Sequence, residues 1–191
     1  MRVALLSGPD MEAALDDIAA LRITVFRDWP YLYDGDMAYE RSYLAAYAQE
    51  GAVCVGVYDG DTLVGASTGA PMVQHADDFA AALPPEMTPE TVFYCAESVL
   101  LAPYRGRGLG HRFFDAREDH ARGLGFAWSV FASVMRPKDH PARPEDYRGL
   151  DPFWRGRGYA PVPDAVAQFG WKDVGDTQET AKPLQLWARA L

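Results

Sequence analysis

The stretch Glu97–Gly110, ESVLLAPYRGRGLG, decides how the rest of this chain is read. It closes an apolar run that starts at Val92, so Val92 to Leu101 reads as a strand. Leu109 to Leu124 then reads as a helix, with Leu109, Phe113, Ala116, His120, Ala121 and Leu124 recurring on one face. Between them, Gly106, Gly108 and Gly110 occupy the strand-to-helix turn. Glycine allows positive φ and close approach of a ligand to the backbone. The first N–H groups of a helix have no partner inside it and sit at the positive end of its dipole. Such a turn can cradle a pyrophosphate. No Lys-Ser/Thr follows, and the glycines read G-x-G-x-G, so neither nucleotide fingerprint is present. A tight turn that simply needs glycine explains the glycines alone equally well.

The string RGRG returns at Arg155–Gly158, within DPFWRGRGYAPV. There it ends a short helix that opens after Asp151-Pro152 and holds Phe153 and Trp154, and Tyr159 starts an extended run. Gly158 fits the residue just past a helix end, where positive φ is wanted. Arg155 and Arg157 suit the negative end of that helix dipole. The repeated string therefore has two jobs, one beside a phosphate and one as a helix stop. An arginine-glycine RNA-binding reading is poor, because the chain carries a formal net charge of −9.

The chain's 191 residues suit one domain with a sizeable core. Its acidity argues against nucleic acid and favours cationic partners weakly. Cys54 and Cys95 sit in apolar contexts and read as buried thiols in a reducing compartment. No zinc-like spacing appears, and no metal is expected. MRVALLSGPD is too short in apolar residues for a signal peptide, and no later run could span a bilayer, so a cytoplasmic protein without membrane contact is the expectation.

Arg2 to Ser7 reads as a strand. Asp10 reads as the N-cap of a helix carrying Ile18, Leu21, Arg22 and Val25, broken at Pro30 and Gly35. Met37 to Gln49 reads as a second helix. Two apolar runs around Asp59-Gly60 form a hairpin. Asp77 to Leu83 reads as a short helix, Phe126 to Val134 as a strand, and Arg136 to Gly149 as a loop. Strands near Ala165–Trp171 and Leu184–Ala188 close the chain. This order predicts an α/β (mixed α+β) architecture: one domain over residues 1–191, with a twisted mixed sheet of six to seven strands and helices on both faces.

ESVLLAPYRGRGLG resembles the central motif of the GNAT superfamily of acyl-CoA-dependent N-acetyltransferases, Arg/Gln-x-x-Gly-x-Gly/Ala. Arg105, Gly108 and Gly110 match it, with Pro103 and Tyr104 just before. The order of elements is also similar over nearly the whole chain. One departure is that the usual proline-x-aromatic-arginine run is shortened to Pro103-Tyr104-Arg105. The resemblance implies acetyl-CoA as co-substrate, its pyrophosphate on the backbone of Arg105, Gly106, Arg107, Gly108, Leu109 and Gly110. Arg112 adds charge nearby. Val99, Leu100 and Leu101 would lend backbone hydrogen bonds to the pantetheine arm, as an added strand does. The strand Phe126–Val134 would form the other wall.

It also implies roles for side chains. A family glutamate on this strand serves as base; Glu97, alone in an apolar run, matches it, against a structural carboxylate paired with an arginine. Ser98 beside it would position water or substrate. Where many members carry a tyrosine that reprotonates the CoA thiolate, this chain has Trp154, whose indole N–H is no usable acid. Tyr147, Tyr159 and His140 are the substitutes to test. The aromatic segment Phe26, Trp29, Tyr31, Tyr33, with Asp34 and Asp36, would border the acceptor and hold an ammonium. The expected function is acetyl transfer to a primary amine, on a small molecule or a peptide, in a chain that can form a homodimer. The alternative is a module of the same fold that binds acyl-CoA without chemistry.

Overall fold

The computed structural model describes residues 1–191, apart from the side chains at positions 76, 78 and 80. Strand β1 (Arg2–Leu6) leads to helix α1 (Pro9–Phe26) and helix α2 (Met37–Ala45). The hairpin β2 (Val53–Asp59) and β3 (Thr62–Pro71) follows, then the short helix α3 (Ala76–Phe79). Next come β4 (Val92–Tyr94), β5 (Ser98–Leu100), helix α4 (Leu109–Gly123) and β6 (Trp128–Val134). Helix α5 (Asp151–Gly156), β7 (Ala160–Trp171) and β8 (Thr180–Ala190) complete the chain. The strands form one open, mostly antiparallel sheet in the order β1-β2-β3-β4-β6-β8-β7, with β5 also on β3.

The sheet has eight strands, not six or seven, because the expected strand Val92–Leu101 is broken in two. Ala70 pairs with Tyr94 and Ser67 with Ser98. Residues 95–97 therefore lie opposite residues 68 and 69 only, which is one residue too many for a regular ladder. β4 runs parallel to β6, and the last bond between them is Cys95 N–H to Val130 O at 2.8 Å. Beyond that bulge β5 stays on β3 while β6 stays on β8, so a gap opens between β5 and β6.

Arg117 of α4 fixes this break. It is 1% exposed. Its guanidinium donates to the carbonyls of Thr68 (3.1 Å) and Glu97 (2.9 Å), which face each other across the bulge. It also donates to Phe113 O and to Ser98 Oγ. Each of these carbonyls also accepts a backbone N–H across the bulge, Thr68 O from Ala96 and Glu97 O from Thr68, both at 3.1 Å, so Arg117 adds a second bond to each and clamps the two strands there.

Helices cover both faces. α1 and α2 bury Met11, Ile18, Leu21 and Leu44 against Cys54, Ala66 and Val99. On the other face, α4 buries Leu109, Phe113 and Phe114 against Val55, Val57 and Phe93, as the alternation of the strands requires. The far end of the α4 stripe departs from expectation, since Leu124 is 49% exposed at the helix end. The N-cap of α1 is Gly8, with Pro9 at the first helical position, so Asp10 lies in the first turn and not at the cap. Both cysteines are free and buried.

The second RGRG stops α5 as expected. Gly158 has φ +87°. Its N–H reaches Arg155 O at 2.9 Å and the Tyr159 N–H reaches Trp154 O at 3.0 Å, the two bonds of a Schellman motif. Arg157 serves packing more than the dipole, because it pairs with Asp115 (2.7 Å) and Glu118 (3.0 Å) of α4. Gly158→Ala should lower unfolding free energy by about 1 kcal/mol in urea titration, with acetyl-CoA affinity unchanged.

Candidate active site

The first RGRG builds an open cradle at the head of α4. Gly106 and Gly108 have φ of +73° and +77°, and a side chain at either would meet nothing within 4 Å. Gly108 is the N-cap of α4 and offers no side-chain cap. Among the described residues, no acceptor meets the N–H groups of residues 106–110. Buried helix starts are normally satisfied, so this exposed set of donors is available to an anion. Gly110 has a different reason to be glycine: a Cβ there would sit 3.3 Å from the Phe153 ring of α5. Arg105 and Arg107 first pin the loop, donating to Leu100 O (3.0 Å) and Pro103 O (2.9 Å). Arg112 is exposed.

The wall beside the gap follows from register. Glu97 O and Leu101 N–H bond to β3, and Val99 pairs with Ala66 between them. Alternation then turns the backbone groups of Ser98 and Leu100 toward the gap. Of the expected set Val99, Leu100 and Leu101, only Leu100 presents its N–H there. Val99 and Leu101 spend theirs on β3. The fit to an acyl-CoA is good on these grounds: unpaired donors at one end, an unpaired strand edge along the middle.

At the other end of the gap lies a cavity of about 110 Å³ between α1, α2, the bulge and β6–β8. Arg22, Glu97, Tyr31, Tyr33, Tyr43 and Trp171 are among its lining residues. Glu97 is 7% exposed. Its Oε2 accepts from Arg22 at 2.9 Å and from the Tyr43 hydroxyl at 3.1 Å. Its Oε1 is buried with no partner. Arg22 also bonds to Glu40, which is buried as well. Burial opposes the Arg22 charge, but Glu97, Tyr43 and Glu40 outweigh it and hold the guanidinium well above its usual pKa. Burial, reinforced by Glu97, pushes Tyr43 well above the phenol range, and burial raises Tyr31 to about 12. These hydroxyls stay neutral.

Ser98 faces the opposite side of the strand from Glu97. It is exposed, and its Oγ takes a 2.9 Å hydrogen bond from Arg117. Trp29 is not among the lining residues. Its ring packs on His140 and Tyr147, 5.0 Å and 6.0 Å between centroids. Asp36 is spent as the N-cap of α2, accepting from Ala38 and Tyr39 N–H, and Asp34 is paired with Lys172. Neither acid reaches the cavity. Tyr159 is committed elsewhere, bonded to Ser129 (2.6 Å) and Glu118 (3.1 Å), and burial drives its pKa far up. Trp154 packs between Phe131 and Trp187.

Comparison with known proteins agrees with this geometry. A profile of the Acetyltransferase (GNAT) family matches residues 18–144. This chain belongs to the GNAT acetyltransferase family. No curated protein matches it in sequence. Among solved structures, it is similar to a ribosomal-protein-alanine N-acetyltransferase from Brucella melitensis, with TM-score 0.65 and 12% identity over 100% of both chains. It is similar to an aminoglycoside 6'-N-acetyltransferase complexed with coenzyme A, with TM-score 0.61 and 16% identity over 100% of this chain and 97% of that one. It is also similar to yncA from Salmonella typhimurium with its cofactor acetyl-CoA, with TM-score 0.62 and 12% identity over 100% and 95%. These likenesses show the GNAT fold. Acetyl transfer from acetyl-CoA is general for this family. Among the described residues, no His/Cys/Asp/Glu group could hold a metal, and no helix is long and apolar enough to cross a membrane.

Sequence reading missed Arg22, Glu40 and Arg117. Each is a charged residue on an otherwise apolar helical face, and that position was the available signal. In this GNAT fold, Gly108→Val should cost at least tenfold in acetyl-CoA affinity by calorimetry, roughly 1.4 kcal/mol. The β-branched side chain fits poorly at φ +77° and fills the open cradle. Unchanged affinity in a folded variant would remove the pyrophosphate from this turn.

Proposed function

We propose that this protein transfers an acetyl group from acetyl-CoA to a primary amine, by direct attack of the amine on the thioester. The observation that carries the reading is the gap between β5 and β6, with free N–H donors at one end and a carboxylate-bearing cavity at the other. When bound, acetyl-CoA supplies an acyl carbon already activated by a thiol leaving group. The chain's own residues do the rest. The turn 105–110 holds the anionic end, and the outward backbone groups of Ser98 and the Leu100 N–H orient the arm. An amine of pKa ~10.4 is mostly protonated near neutrality and must lose a proton before attack. Glu97 is the group placed to take it. Arg22 and Tyr43 hold Oε2 and so fix the side chain, which leaves Oε1 as the proton-accepting atom. A thiol of pKa ~8.5 leaves tolerably without a dedicated acid, which suits Trp154 where many relatives place tyrosine.

A second reading has one observation in its favour. The Arg22 pairing of Glu97 is what a structural carboxylate would show, and a module that binds acyl-CoA without chemistry would keep it. An amine panel with thiol detection separates the two. CoA release dependent on amine supports transfer; tight acetyl-CoA binding with no release on any amine supports the module.

For Glu97→Gln, acetyl-CoA binding should survive, since the cradle is downstream. Turnover should fall by about 10²-fold or more near neutral pH, the scale of general base catalysis. The deficit should shrink as pH rises toward the amine's own pKa, where solution supplies free amine. A pH–rate profile of both proteins checks this. A variant profile parallel to the parent, with the acid limb unmoved, rejects Glu97 as the base.

A further inference from the structure

The walls of the cavity carry information about the acceptor itself, on the reading that this site acetylates amines. Charge comes first. Arg22, Glu40 and Glu97 are all buried, and both carboxylates pair with Arg22, which sets two carboxylates against one guanidinium. The tyrosines around them are neutral, because burial raises the pKa of Tyr43 and Tyr94 well above the ordinary value. Arg136 and Lys182 are the next cations, but they share Asp173 and neither lines the cavity. A buried cluster short of one positive charge favours a cation.

Hydrogen bonding narrows the class. Glu97 Oε1 is a buried acceptor with no partner, so the site has room for a further N–H donor beside Arg22 and Tyr43. The remaining wall is mostly aromatic and aliphatic: Phe26, Phe169, Trp171, Ala96, Ala132 and Leu184, beside Tyr31, Tyr33, Tyr39 and Tyr94. No Asn, Gln, Ser or Thr side chain lines it. A sugar ring or a peptide amide entering here would trade water for tyrosine hydroxyls, too few partners for its several polar groups. A methylene or phenyl stem would lose nothing, and aromatic faces attract an ammonium. Size sets the scale. Room of about 110 Å³, comparable with the ~150 Å³ void that takes up benzene, suits one short stem.

We propose that the acceptor is a small free alkyl- or arylalkylamine, with its ammonium at Glu97 and a short, unbranched, non-hydroxylated stem against the aromatic wall. The contrast is with an aminoglycoside and a ribosomal-protein alanine, the acceptors named for two of the structural relatives.

The test measures kcat/KM with saturating acetyl-CoA for n-butylamine, 2-phenylethylamine, glucosamine and a tetrapeptide with N-terminal alanine. The better of the two simple amines should exceed both glucosamine and the peptide by at least tenfold. Ala132→Leu narrows the cavity and should lower 2-phenylethylamine turnover at least tenfold more than that of n-butylamine, each measured at saturating acetyl-CoA. Tyr31→Ala widens it and should shift the ratio the other way, which keeps the cavity assignment testable if Ala132→Leu does not fold. Glucosamine or the peptide equalling the simple amines would overturn the acceptor class while leaving acetyl transfer intact. No acetylation of any of the four, with acetyl-CoA still bound, would overturn the amine reading and this proposal together.

Discussion

Everything at the candidate active site depends on one surplus residue in a strand. Residues 95–97 lie opposite only 68 and 69, and the ladder cannot continue across to β6. Arg117 clamps the strands at this break, adding a second donor to carbonyls that already hold backbone N–H groups. It reaches from α4 to the carbonyls on both sides of the bulge and to Ser98. A guanidinium suits this task because its planar fork serves several oxygens in one geometry. The same helix begins at the glycine turn, so one rigid element sets both that turn and the clamp at the bulge.

The bulge also reverses what neighbouring side chains can see. Glu97 faces α1 and α2, where Arg22, Glu40 and Tyr43 surround it. Ser98 faces the α4 side. A buried ion cluster of this kind is costly to form, and breaking one partner is costlier than the pair is worth. Its use here is placement: one carboxylate oxygen is locked and the other is left without a partner. The segment carrying Tyr31 and Tyr33 is tied down from the opposite end of the chain. Arg136 donates to the carbonyls of Pro30 and Tyr31 and pairs with Asp173, and the Trp171 indole donates to Tyr31 O at 3.0 Å.

Much of this was legible in the residues. The strand–glycine turn–helix around Gly108, the hairpin at Asp59-Gly60 and the helix stop at Gly158 are local features, and local chemistry specifies them. The break after Tyr94 was not legible, because a bulge is a matter of register between strands distant in sequence. Gly8 displaced Asp10 as a cap because Pro9 already suits the first turn. The site was half legible. Glu97 and Tyr31 stand out as a charge in an apolar strand and an aromatic in a loop. Their partners Arg22 and Glu40 come from two helices, and no spacing in the sequence joins them to Glu97. Trp29 misled for the same reason: an aromatic beside Tyr31 in sequence turns instead to His140 and Tyr147.

The central claim is that the turn at residues 105–110 and the free edge of β5 together receive acetyl-CoA. Hydrogen–deuterium exchange of the intact protein, with and without saturating acetyl-CoA, tests it residue by residue. Exchange should slow at the amides of Gly106 to Gly110, for which the structure shows no internal acceptor, and at Leu100 on the gap, with Leu101 unchanged because it already bonds to β3. Protection absent from residues 106–110 while acetyl-CoA is demonstrably bound would contradict it.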